Sequence, residues 1–255
     1  IYHDPTDSAM EEAAKEYFRD FTQFVGDALL KCGFPPCPRD FMATNPIWRQ
    51  PLHIWRKYFA DWISAPSSEA PMYSVTFFDC RAIHGETRLL EWLKDHAFSL
   101  LKDNKGFLGH VANMAVQNVT PVGFLKTFVV EKSGEHRDTL DLKLKGLAPL
   151  IDSIRLFALE KGLRETPTVE RINALKHDHP IVKEYADELL HSFEFLMSLT
   201  INNQFEQLKK EQDVNNFIHA NQLSNLEKRI AKETFQLISN IQAIIIEQYK
   251  ILPHG

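Results

Sequence analysis

A chain of 255 residues, 44% apolar and 25% charged, has an ordinary globular composition and is long enough for two modest domains. Its formal net charge of −5 excludes an overall attraction for nucleic acid or an anionic membrane, leaving only local basic patches open. Three cysteines (Cys32, Cys37 and Cys80) do not form a disulfide framework and fit a reducing cytoplasm. The apolar run over 241–246 is too short to span a bilayer, and residues 1–7 lack the basic start of a signal peptide. With ten glycines and neither G-x-G-x-x-G nor G-x-x-x-x-G-K-[ST], the chain offers no dinucleotide fingerprint and no P-loop.

In chain order, Ser8 and Glu11 form an S-x-x-E capping box ahead of Tyr17, Phe18, Phe21, Phe24 and Val25 at helical spacing. They predict a helix over 8–32 with its aromatic stripe turned to a core, stopped by Gly33 and Pro35. A short apolar run over 41–44 reads as a strand candidate. Pro51 opens a helix carrying Trp55, Phe59, Trp62 and Ile63, and 65–71 is a Pro/Ser/Ala loop. The alternation of Tyr73, Val75 and Phe77 with Ser74 and Thr76 predicts a strand over 72–80. Helices follow over 86–102 and 107–118. A hairpin is expected between 126–131 and 139–143, around Ser133 and Gly134. Further helices are predicted over 147–160, 168–175, 181–210 and 224–249, the last opened by a second capping box, Ser224 and Glu227. The two longest are expected to be neighbours in a bundle. The predicted architecture is α+β, a partial mixed sheet with helices over 1–104, then an all-helical bundle over 105–255.

Specific motifs begin at GFPPCPRDFMATNPIWR (33–49), followed by Trp55, Phe59 and Trp62, then FFDCR at 77–81. They continue in LDLKLKGLAPLIDSIRLFAL (140–159), FEFLMSLTINNQ (193–204) and NQLSNLEKRIAKETFQLISNIQ (221–242). In this order the chain resembles, over nearly its whole length, a nucleotidyltransferase family often fused to CBS and cyclic-nucleotide-binding domains in bacterial signalling proteins. That family is a relative of the uridylyltransferase that modifies the PII protein. The resemblance implies transfer of a nucleoside monophosphate from an NTP to a protein or small acceptor hydroxyl. It also implies Mg²⁺ held by carboxylates, and a helical domain that binds the acceptor.

Within the family a Gly-Ser motif and a D-x-D pair precede the third carboxylate. This sequence contains neither, and Ile1 to Asp4 resembles the tail of the strand that would carry them. The chain, which opens on Ile1 rather than Met, therefore reads as a piece expected not to catalyse alone. Asp79 matches the third, metal-binding carboxylate; its plain alternative is a turn aspartate paired with Arg81. Arg81 is either a solvated cation or a phosphate contact, since guanidinium matches phosphate oxygens in pairs. Asn45 and Arg49 either face the nucleotide or hold the turn around Trp48. Lys143 and Arg155 either meet the nucleotide or join an ion-pair network, Asp152 and Arg155 being three apart on one helical face. Where the family usually carries arginines, this chain has Leu199, Thr200, Ile201, Asn202 and Asn203, which weighs against an anionic ligand there.

Cys32 and Cys37 lack two further zinc ligands at matching spacing, and His177, Asp178 and His179 read as a solvated loop. A homodimer is left open by the helical stripes. The rival to the enzyme is a non-catalytic nucleotide-sensing or docking module of a signalling protein.

Overall fold

The computed structural model describes residues 1–64, 70–102, 104–120 and 138–252. The chain divides into two compact units, the first made of Ile1–Ala70 and Cys80–Asp103, the second of Pro71–Asp79 and Asn104–Gly255. The described part is helix-rich α+β.

In the first unit, helix α1 (Ser8–Lys31) is capped by Asp7, whose carboxylate accepts from the Met10 N–H at 2.8 Å. The cap thus lies one residue before the expected Ser8. A carboxylate at this end also complements the positive pole of the helix. The aromatic stripe does not face a core: Tyr17, Phe21 and Phe24 are exposed. The face turned inward carries Ala14, Phe18, Thr22 and Val25, and Phe18 stacks on the buried Tyr2 ring at 4.7 Å. Helical periodicity identified an amphipathic helix but assigned the larger aromatic face to the inside. Residues 41–44 form turns rather than a strand. Helix α2 (Leu52–Ser64) buries Leu52, Trp55, Phe59 and Ile63 at spacings of three and four. It packs against α4 (Arg88–Leu101), which presents Leu89, Leu93, Ala97 and Leu101.

The predicted strand over 72–80 is instead helix α3 (Ala70–Phe78). Its buried positions are Ser74, Val75 and Phe78, three and four residues apart. The alternation in so short a run does not exclude the helical period, and burial decides for the helix. The predicted mixed sheet is likewise not found among the described residues. Tyr2 and Pro51 form a single parallel bridge. The one ladder among the described residues is antiparallel and belongs to the second unit: β1 (Thr139–Asp141) pairs with β2 (Phe217–His219), Leu140 opposite Ile218. Residues 139–141 thus pair with 217–219, and the other arm of the expected hairpin, 126–131, lies outside the described residues.

The second unit is a bundle. Helix α5 (Lys105–Gln117) opens on Asn104, whose side chain accepts from the Phe107 N–H at 2.9 Å. After β1 comes a π-helical turn (Lys143–Leu147), capped by the Asp141 carboxylate through the N–H groups of Lys143 and Leu144. Then follow α6 (Ala148–Glu160), α7 (Thr168–Leu175), α8 (Pro180–Lys209, kinked at Tyr185) and α9 (Asn225–Tyr249). The expected capping box at Ser224 and Glu227 is present. Phe107, Phe157 and Phe235 are fully enclosed in the core.

Gly146 in the π-turn has a packing role. A methyl group there would stand 3.2 Å from both the Leu196 and Phe235 side chains. Gly146→Ala is expected to destabilise the unit by about 1–3 kcal/mol through overpacking. Urea denaturation would read this as a lower midpoint; an unchanged midpoint would mean that both side chains yield without cost.

Candidate functional site

Four charged side chains converge in the second unit. Asp79 follows directly on α3, Asp152 and Arg155 lie one turn apart on α6, and Arg171 lies on α7. Arg155 donates to Asp79 Oδ2 from Nε at 2.9 Å and from Nη2 at 2.6 Å. Its Nη1 donates to Asp152 Oδ1. Arg171 donates from Nη2 to Asp79 Oδ1 and from Nε to the Glu165 carbonyl at 2.7 Å. Both carboxylate oxygens of Asp79 are thus engaged, each by a different guanidinium. Exposure is graded: the Arg171 side chain is 3% exposed, Arg155 14% and Asp79 26%. Burial works against the charge on Arg155, but Asp79 and Asp152 outweigh it and hold its pKa above the ordinary range. One buried Arg171 nitrogen, Nη1, has no hydrogen-bond partner among the described residues.

Arg171 is the residue the sequence reading passed over. The buried face of α7 is Thr168, Arg171, Ile172 and Leu175. A cation in the middle of an apolar stripe requires a buried anion, and that was the available signal.

Asp79 and Arg155, 76 residues apart in sequence, are brought together. The remaining candidates are elsewhere. The Lys143 side chain is exposed, with its backbone N–H on Asp141 at 3.0 Å. Arg81, in the first unit, is exposed. In the same unit Arg49 donates from Nη1 to the carbonyls of Ala43 (3.0 Å) and Thr44 (2.9 Å), and to Thr22 Oγ1 on α1 (3.4 Å). Asn45 bonds Asp40 Oδ2 at 2.7 Å and accepts from the Ile47 N–H at 2.9 Å; the Trp48 indole donates to the Asp40 carbonyl at 3.0 Å. These bonds fix the turn, and Asp40 itself takes a left-handed backbone (φ 56°) there.

A magnesium ion does not fit Asp79 as it is held. Magnesium needs carboxylate oxygens facing the ion, and here both face guanidinium groups. Among the described residues no group of three or more His, Cys, Asp or Glu side chains is placed to hold a metal.

A second polar cluster lies where α6, α8 and α9 meet. His179, expected in a solvated loop, is buried; its ring stacks on Phe157 at 4.2 Å and lies 3.3 Å from Glu160 Oε2. The Tyr249 hydroxyl donates to Glu160 Oε1. Burial, then the bond to Glu160, pushes the Tyr249 phenol well above its ordinary range and keeps it a donor.

The second unit is thus a helical bundle with a two-stranded ladder and a buried arginine–aspartate cluster. The family model described as "Putative nucleotidyltransferase substrate binding domain" matches residues 105–249, and the chain belongs to that family. A second model, described as "Putative nucleotidyltransferase DUF294", matches residues 1–69. No curated protein and no solved structure matches the chain. Among the described residues no helix is long and apolar enough to cross a membrane.

Proposed function

We propose that this chain serves nucleotidyl transfer, the move of a nucleoside monophosphate from an NTP to a protein or small-molecule acceptor, in bacterial signal transduction. The observation that carries this is the presence, in order along one chain, of the two nucleotidyltransferase family matches, 1–69 and 105–249. The helical unit takes the acceptor, and Arg155 and Arg171 supply the guanidinium pair suited to phosphate oxygens. The resemblance described above extends the reading to CBS or cyclic-nucleotide-binding partner domains and to a cytoplasmic setting. No step through magnesium is assigned.

The engagement of Asp79 by two arginines favours a second reading, a nucleotide-sensing module without chemistry of its own. Thermal unfolding of the chain with each NTP, with and without Mg²⁺, separates the two. A ligand at a hundredfold its Kd adds about 2.7 kcal/mol, which for this size raises Tm by roughly 5–10 °C. A base-selective rise that requires Mg²⁺ supports the transferase. A rise of the same size without Mg²⁺ supports the sensing module. No rise with any NTP, in this chain and in Asp79→Asn alike, overturns both.

A further inference from the structure

We propose that Arg155 and Arg171 form a phosphoryl-oxyanion site that Asp79, a side chain of the same protein, occupies in this structure. The proposal rests on the nucleotide reading for choosing phosphoryl groups among anions, and on the geometry for everything else.

Each arginine has an anchor besides Asp79. Arg155 is held by Asp152 on its own helix, and Arg171 by the Glu165 carbonyl. Removal of Asp79 therefore leaves both guanidinium groups in place, already desolvated and oriented. Of the three side chains on the shared contact, Asp79 is the most exposed, so this position is the one a solvent-borne anion can reach.

Stoichiometry points the same way. Three N–H donors converge on the two oxygens of Asp79, and Arg171 Nη1 is buried without an acceptor among the described residues. The carboxylate can accept all three of these bonds, but a tetrahedral phosphoryl group offers the same donors three or more oxygens and a larger charge. Charge agrees: two arginines and two aspartates sum to zero, and loss of Asp79 leaves one buried positive charge needing an anion. Asp79 is thus an internal competitor, and phosphoryl ligands gain access only as it leaves.

The test is calorimetric titration of inorganic pyrophosphate, in chelator-containing buffer at fixed ionic strength, into wild type, Asp79→Ala and Asp79→Asn. Both variants are expected to bind pyrophosphate about tenfold or more tighter than wild type. Adding Arg155→Gln and Arg171→Gln to Asp79→Asn is expected to abolish the gain. Asp79→Asn keeps the size of the side chain and a hydrogen-bonding group, so it reports even where Asp79→Ala is too unstable to titrate. Equal affinity in wild type and Asp79→Asn overturns the proposal, as does a gain that survives loss of both arginines. A pyrophosphate gain without any NTP-dependent rise in Tm would uphold the anion site while removing the transferase and sensing readings. An NTP-dependent rise without a pyrophosphate gain would do the reverse.

Discussion

Arg171→Leu is expected to destabilise the helical unit by about 3 kcal/mol, the lower end for breaking a buried ion pair. The variant strips Asp79 Oδ1 of its donor and the Glu165 carbonyl of its partner, and leaves Asp79, Asp152 and Arg155 with a net negative charge. Partial exposure of Asp79 lets water relieve some of this, which is why the low end applies. Asp79→Leu with Arg171→Leu retains the neutral Arg155–Asp152 pair, so its cost should fall short of the summed single costs by about 1 kcal/mol or more. Urea unfolding of the four proteins measures this; strictly additive costs would show that Asp79 and Arg171 are not coupled.

Phe157→Ala should cost about 3–5 kcal/mol. Phe157 is completely buried on α6, and its ring is stacked against His179 at the start of α8. Truncation opens a cavity and removes the aromatic support of a buried imidazole whose Nδ1 already lacks a hydrogen-bond partner among the described residues. Phe157→Leu, which refills most of the volume, should recover more than half of the loss. A cost for Phe157→Ala under about 1 kcal/mol would mean that the surrounding helices collapse into the space.

The elements legible in the sequence were those whose signals are local. Ser224 and Glu227 sit in one turn and satisfy each other's backbone, so the start of α9 could be read directly. Leu52, Trp55, Phe59 and Ile63 likewise report α2 through spacing alone. Run 72–80 failed because its period is ambiguous, and only burial of Ser74, Val75 and Phe78 distinguishes the outcomes. The exposed face of α1 failed for another reason: periodicity finds a stripe but does not say whether a partner covers it. At the candidate site, the Asp152–Arg155 pair was legible because it lies within one helix. Asp79 meets Arg155 and Arg171 only through tertiary packing, which a single sequence does not encode by spacing.

The β1–β2 ladder has a bearing on how the molecule assembles. It joins Thr139 to His219 through three residue pairs, with helices α6, α7 and α8 between them. Closing a flexible loop of that length costs about 4 kcal/mol in chain entropy, whereas each hydrogen bond returns only about 0.5–1.5 kcal/mol net. The few bonds of the ladder at best match that cost, so it is expected to form once collapse of the helices between has brought its ends together. Leu140 and Ile218, both buried, are therefore expected to gain protection late in folding, and substitutions there to speed unfolding more than they slow folding.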